Sequence, residues 1–163
     1  MIYPGYQPRL LLRSFDELPE EARAAGIARL VDQLAWIDTA WLRMHPEVPP
    51  LYESGVVYVE RGLTACGDDW RDIPEILVEG EGVCEDLSAW RIAELRIRST
   101  NAQPLITSMQ ADSLIVYHVR VLWPNGQIED PSLILGMSPL SPDAQSVVRP
   151  GGYACSPSSC SLE

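Results

Sequence analysis

The sequence is poor in several residue types, and each shortage excludes a class of protein. Its 163 residues include 12 lysines and arginines against 23 aspartates and glutamates, which gives a net charge of −11. A field of that sign repels phosphate backbones, so we expect no nucleic-acid partner. No apolar run approaches the roughly 20 residues that cross a bilayer, and the first residues do not resemble a secretion signal. We therefore expect a cytoplasmic protein that does not bind membranes.

Histidine and cysteine are also scarce. The chain has only two histidines, and its cysteines lack both paired C-x-x-C spacing and the density of a secreted disulfide framework. We expect neither a metal site nor a cofactor. The cysteines, at 66, 84, 155 and 160, are interpreted as mostly free thiols, with a local bond between Cys155 and Cys160 as the alternative.

The composition indicates one globular domain with an arm at each end. Hydrophobic residues make up 46% of the chain and charged residues 21%, as in folded proteins of this length. From Ser138 onward proline, serine and glycine dominate and no periodicity remains. We predict an N-terminal arm at 1–14, a domain at 15–137 and a C-terminal arm at 138–163, with other subunits of an assembly contacting the arms.

Two helices are predicted from the spacing of apolar residues. The first begins near Pro19 and ends at His45, because the residue before a proline disfavours helical geometry; a break near Gly26 is the alternative. The second begins at Cys84 and runs to about Arg98. Its apolar residues cover too wide an arc for a surface helix, so we expect it to be largely buried.

The second half of the domain is predicted to form a sheet. The segments AQPLITSMQ and SLIVYHVRVLW are rich in β-branched residues, and the turn PNG at 124–126 leads into QIEDPS. SGVVYVERG, before the second helix, is predicted as a short strand. The predicted class is α+β, with helices first and an antiparallel sheet after them.

The stretch EGEGVCEDLSAW places a cysteine where a glycine-rich loop becomes a helix. Free N–H groups and the helix dipole favour a thiolate at that position. A three-residue turn at 124–126 would pair Leu122 with Ile128 and put His118 and Asp130 on one face as diagonal neighbours, whereas a bulge at Gly126 would break this register. Thiol, imidazole and carboxylate are the parts of a nucleophilic site.

These segments resemble a known family. GVCEDLSAW is similar to the nucleophile motif of the transglutaminase-like superfamily, which has a papain-like fold, and YHVRV and GQIEDPS resemble its histidine and aspartate strands. The resemblance implies Cys84 as nucleophile, His118 as base and Asp130 as the residue that orients the histidine, acting on an amide of a protein or peptide. A second oxyanion donor is implied upstream, with Trp70 and Tyr58 as candidates.

One position departs from the family pattern, and one alternative function stays open. Arg120 stands where the family often has an aromatic residue, and it could compete for Asp130. Compact relatives occur among the structural genes of tailed bacteriophages, so the alternative is a structural subunit of a phage head or tail with a silent site, located in a virion. Among the acids near the cysteine, we interpret Asp86 as structural and Glu79, Glu81 and Glu85 as a solvated rim.

Overall fold

The computed structural model describes residues 17–60, 70–111 and 114–138, which form a mixed α+β fold. This part of the chain contains four α-helices, a three-stranded antiparallel sheet and a two-stranded parallel pair. The predicted α+β class is confirmed. The predictions that lie outside the described residues are those on the two arms, at 1–14 and 138–163 apart from Ser138, and on Cys66, Cys155 and Cys160.

Helix α1, Glu20–Met44, is the longest element described. It runs through Gly26 without a break, and it ends before His45-Pro46 as predicted. Its buried side chains recur every three or four residues, at Ile27, Val31, Ala35, Asp38, Thr39 and Leu42. Within the described ranges, no helix is long and apolar enough to cross a membrane.

Several short elements lie between α1 and Cys84, and the sequence predicted them only in part. A short 3₁₀ helix at Leu51–Glu53 is followed by strand β1, Val57–Tyr58, helix α2, Ile73–Glu79, and strand β2, Glu81–Gly82. Strands β1 and β2 pair in parallel. Asp72 caps α2 by accepting from the Glu75 N–H at 3.2 Å, and Gly80 ends α2 with a φ of +74°. Of these elements, only β1 was predicted.

Helix α3, Cys84–Ile97, begins at the cysteine as predicted, and most of its 14 residues are buried. It starts directly after β2, where Gly82 lies close to side chains of the first turn of the helix. A Cβ added to Gly82 would lie 3.0 Å from Leu87 Cδ2 and 3.4 Å from Asp86 Cβ. A larger residue at this position would require the buried Leu87 side chain to shift.

The sheet has the order β3-β4-β5, with β3 at Gln103–Ala111, β4 at Leu114–Leu122 and β5 at Ile128–Glu129, and helix α4, Pro131–Ile134, follows it. Leu122 pairs with Ile128 and Val121 with Glu129, which confirms the predicted register. The turn is closed by the Trp123 N–H, which donates to the Gln127 carbonyl oxygen at 2.8 Å, and by the Gly126 N–H, which donates to the Trp123 carbonyl oxygen at 2.9 Å; Gly126 has a φ of +85°. Val119 and Val121 are buried with residues of α1 and α3, so the core lies between these helices and the sheet.

Candidate functional site

His118 and Asp130 form a direct hydrogen bond across the hairpin. The distance from His118 Nε2 to Asp130 Oδ2 is 2.8 Å, and each side chain is 14% exposed. The other carboxylate oxygen of Asp130 accepts from the Leu133 N–H at 3.2 Å, where Asp130 caps α4. Asp130 is therefore fixed from two sides, and it fixes the imidazole ring in turn.

The surroundings of Asp130 keep its carboxylate charged. Burial alone would raise the pKa of Asp130, but the hydrogen bonds from His118 and from the Leu133 N–H, with the charges of His118 and Arg120, lower this pKa below its ordinary value. Arg120 thus acts on Asp130 through its charge, while the side-chain hydrogen bond of Asp130 goes to His118. The expected competition from Arg120 leaves the His118–Asp130 pair intact.

The pair also determines which nitrogen of His118 can act as a base. A charged carboxylate can only accept a hydrogen bond, so Nε2 carries the hydrogen that faces Asp130. In the neutral ring, Nδ1 then keeps its lone pair and can accept a proton. This arrangement of ring and carboxylate is the one that general-base catalysis by histidine needs.

Cys84 belongs to the part of α3 that packs against β4. Ser88, one helical turn after Cys84, donates its hydroxyl to the carbonyl oxygen of Val119 at 3.1 Å. Val119 is the chain neighbour of His118, and it is buried in the same apolar cluster as Cys84. The structure therefore brings the start of α3 and the histidine strand into one region.

The Cys84 thiol contacts a carboxylate that the sequence analysis placed in solvent. Cys84 Sγ donates to Glu85 Oε2 at 3.0 Å, and both residues are only 8% exposed. The interpretation of Glu85 as part of a solvated rim is wrong, because Glu85 lies in the first turn of a helix whose start is packed into the core. This hydrogen bond requires the neutral thiol, because a thiolate has no hydrogen to donate.

Asp86, the next residue, has a structural role, as predicted. It is fully buried, and its two oxygens accept from the Arg71 N–H at 2.9 Å and from the Val83 N–H at 3.2 Å. The second bond satisfies an N–H at the helix start. Asp86 thereby ties the loop before α2 to the first turn of α3.

A second buried aspartate holds the same loop from α1. Asp38 Oδ1 accepts from the Ile73 N–H at 3.1 Å, and burial raises the pKa of Asp38 well above its ordinary value. Trp70 lies at the start of this loop and packs against the cluster that contains Cys84. Its indole Nε1–H is buried and has no hydrogen-bond partner among the described residues.

Tyr58 on β1 lies near the same group of residues. The pKa of its hydroxyl is well above the ordinary value, first because the residue is half-buried and then because the negative charges of Cys84, Glu60, Glu85 and Asp130 act on it. The phenol therefore stays protonated and can donate a hydrogen bond. Tyr58 also packs against the apolar cluster that contains Cys84.

A polar network that the sequence analysis missed anchors β5 to α3. Glu129 accepts from Arg91 Nε at 2.6 Å, from Trp123 Nε1 at 2.8 Å and from the Tyr52 hydroxyl. Arg91 also bonds Glu94 Oε2 at 2.8 Å. Burial would raise the pKa of Glu129, but the bonds from Arg91 and Tyr52 lower it. An arginine in the middle of a largely buried helix was the available signal, although its partner Glu129 lies far along the chain.

Other features of the described residues lie apart from this region. A groove of about 420 Å³ is formed by α1, the end of α3 and the start of β3, and its lining includes Trp36, Arg96 and Gln103. It is at the opposite end of α3 from Cys84. In the ranges that the structure describes, no group of three or more histidine, cysteine, aspartate or glutamate side chains is placed to hold a metal ion.

Comparison of the chain with known protein families, with curated proteins and with solved structures finds no match. The transglutaminase-like resemblance thus rests on the sequence motifs alone. The function has to be argued from the side chains around Cys84, His118 and Asp130.

Proposed function

We propose that the protein is a cysteine hydrolase or acyltransferase with a transglutaminase-like, papain-like fold. It acts on an amide of a protein or peptide, with Cys84 as nucleophile, His118 as base and Asp130 as the residue that orients the base. The observation that carries the proposal is the 2.8 Å bond between His118 and Asp130, on the strand packed against the helix that begins at Cys84.

The first half of the reaction forms a thioester. His118 Nδ1 takes the thiol proton, the sulfur attacks the amide carbon, and the carbonyl electrons move to the oxygen. The tetrahedral intermediate then collapses, and the imidazolium gives its proton to the departing amine. Asp130 stabilises the imidazolium through Nε2–H, which is why its lowered pKa matters: the carboxylate stays charged throughout.

The negatively charged oxygen of the tetrahedral intermediate needs hydrogen-bond donors near Cys84, at the start of α3. The first N–H groups of any helix have no acceptor within it, so the backbone of Cys84 and Glu85 can supply one donor. Trp70 and Tyr58 are the candidates for a second. The buried Trp70 indole N–H, without a partner in the described part of the chain, and the protonated Tyr58 phenol both support such a role.

The second half of the reaction releases the acyl group. Water, for hydrolysis, or an amine, for transfer, loses a proton to His118 and attacks the thioester carbon. The intermediate collapses, the carbon–sulfur bond breaks, and the sulfur regains its proton from the imidazolium. The same site serves both outcomes, because only the second nucleophile differs.

An activated ester tests the proposal without knowledge of the natural substrate. The protein is incubated with p-nitrophenyl acetate, and acetylated cysteine is located by peptide mass spectrometry while nitrophenolate release is followed. We expect acetylation at Cys84 ahead of the other cysteines, an early burst, and continued turnover. Cys84→Ala should abolish the burst, and Cys66→Ala is the matched control that should keep it. Equal acetylation of all cysteines without turnover would overturn the proposal.

One observation favours the alternative, a structural subunit of a phage head or tail with a silent site. The Cys84 thiol donates a hydrogen bond to Glu85, and only a neutral thiol can make this bond, whereas the nucleophile is the thiolate. The two functions predict different results in the same assay. A silent site gives no burst from Cys84, and in that case the structural function is the better proposal.

A further inference from the structure

We propose that Ser88 is a positioning residue that sets the distance between the Cys84 sulfur and the His118 imidazole. The proposal rests on the proposed function, in which Cys84 is the nucleophile and His118 is the base. Ser88 acts on this pair through the backbone of β4, the strand that carries His118.

The hydrogen bond of Ser88 differs from the one that a hydroxyl inside a helix often makes. Such a hydroxyl can donate to the carbonyl oxygen of the residue four positions before it in the same helix. Thr39 in α1 does so, with a bond of 2.6 Å to the Ala35 carbonyl oxygen. Ser88 donates instead to another element, to the Val119 carbonyl oxygen on β4 at 3.1 Å. This bond therefore fixes α3 against the sheet.

The hydrogen bonds of the hairpin show to which side the Val119 carbonyl points. The Trp123 N–H donates to the Gln127 carbonyl oxygen, on the side of β4 where β5 lies. Alternate residues of an antiparallel strand point their N–H and C=O groups to the same side. The Val119 carbonyl, four residues before Trp123, therefore also points to the side of β5.

Strand β5 cannot supply a donor to this carbonyl. The register that pairs Val121 with Glu129 would place Pro131 opposite Val119 if the ladder continued. Pro131 has no N–H, and it begins α4 instead. Val119 is fully buried, so its carbonyl needs a donor from the protein. Ser88, which is also fully buried, provides that donor.

The two ends of this bond lie beside the two reacting groups. Ser88 follows Cys84 by four residues, which places both on one face of α3. Val119 directly follows His118 in β4. A shift of α3 along β4 would break the bond and change the distance from sulfur to imidazole. Proton transfer needs hydrogen-bond reach, and a displacement of about 1 Å can slow a reaction about a hundredfold.

Acylation by p-nitrophenyl acetate measures this positioning. The sulfur attacks the acetyl carbon, nitrophenolate leaves with the electron pair, and the thiol proton passes to His118. The rate at Cys84 is measured by peptide mass spectrometry at pH 7 in the parent, in Ser88→Ala, in His118→Gln and in the double variant. Thr39→Val is the matched control, because it removes a buried hydroxyl that bonds within its own helix.

We expect Ser88→Ala to slow acylation of Cys84 about tenfold, because the base is no longer held within reach. In the His118→Gln background the same substitution should change the rate less than about twofold, since no base remains to be positioned. Ser88→Thr keeps the hydroxyl donor and should retain most of the parent rate, so the test does not depend on the alanine variant alone. Thr39→Val should react like the parent.

Two results would contradict the positioning role while the proposed function stands. One is a Ser88→Ala protein that reacts as fast as Thr39→Val although His118→Gln is slow. The other is an equal slowing by Ser88→Ala with and without His118, which is what a loss of stability alone would cause. The proposed function fails by a different result: if His118→Gln acylates as fast as the parent, there is no base at the site, and the role of Ser88 falls with it.

Discussion

The β4–β5 hairpin and the entry to α3 meet around the candidate site, but different forces position them. In the hairpin, strand alternation and a three-residue turn put His118 and Asp130 on one face, and a 2.8 Å bond results. At the entry to α3, two buried carboxylates that lie far apart in the sequence hold residues 71–73, Asp86 from α3 and Asp38 from α1. The comparison teaches that local geometry positions the base, whereas tertiary hydrogen bonds position the nucleophile.

The same comparison explains why the position of Asp130 beside His118 could be predicted from the sequence and the burial of Glu85 could not. Asp130 follows a strand whose period fixes the direction of its side chain. Glu85 follows a cysteine at a helix start, and whether that turn faces solvent depends on what packs over it. Its burial therefore depends on the tertiary fold, which residue type and spacing do not report.

The largest loss of stability is expected from a substitution in the polar network that joins the hairpin to α3. Glu129→Gln should destabilise the protein by about 3 kcal/mol, since it leaves the mostly buried Arg91 without its main partner. The thermal midpoint should fall by about 10 °C. Glu53→Gln, at an exposed position, is the matched control and should change little. A loss below about 1 kcal/mol would mean that the network behaves like a surface ion pair and that the hairpin is held by its own register.

A smaller loss of stability is expected from a substitution at the entry to α3. Asp86→Asn retains one acceptor oxygen but removes the charge, so one of the two N–H groups of Arg71 and Val83 loses its acceptor. We expect a loss of about 2 kcal/mol by denaturant titration. Trp70 fluorescence should change as its loop is released. An unchanged free energy of unfolding would show that packing alone, and not Asp86, positions the nucleophile.

The smallest effect is expected for Asp38→Asn, which should gain stability relative to the parent chain as the pH rises. The pKa of Asp38 is raised on folding, so its contribution is fully present below the unfolded pKa of about 3.9 and is lost as pH rises through the folded value. Asp38→Asn keeps an acceptor for the Ile73 N–H and cannot ionise. The variant should therefore become more stable relative to the parent as pH rises from about 4 to 8. A constant difference across this range would show that Asp38 is not titrating.

The spacing of apolar residues predicts much of the fold. It predicts fewer of the side-chain contacts in the candidate site. The two long helices, the strands of the antiparallel sheet and the hairpin register follow from apolar spacing and from the Asn125-Gly126 turn. Helix α2 was missed because it is short and its signals, a capping Asp72 and a terminal Gly80, are not distinctive alone. The Glu129 network and the Cys84–Glu85 contact depend on side-chain packing between and within elements, which no local pattern encodes.

The rate of Cys84 acylation in histidine variants tests the central claim most directly. With p-nitrophenyl acetate at pH 7, His118→Gln should slow acylation of Cys84 by about a hundredfold or more, because it removes the general base. Asp130→Asn should cause a smaller loss, because the ring keeps a partner but the imidazolium loses its counter-charge. His45→Gln, which changes the chain's other histidine, should react like the parent. If His118→Gln acylates as fast as His45→Gln in folded protein, His118 does not serve Cys84 and the catalytic account is contradicted.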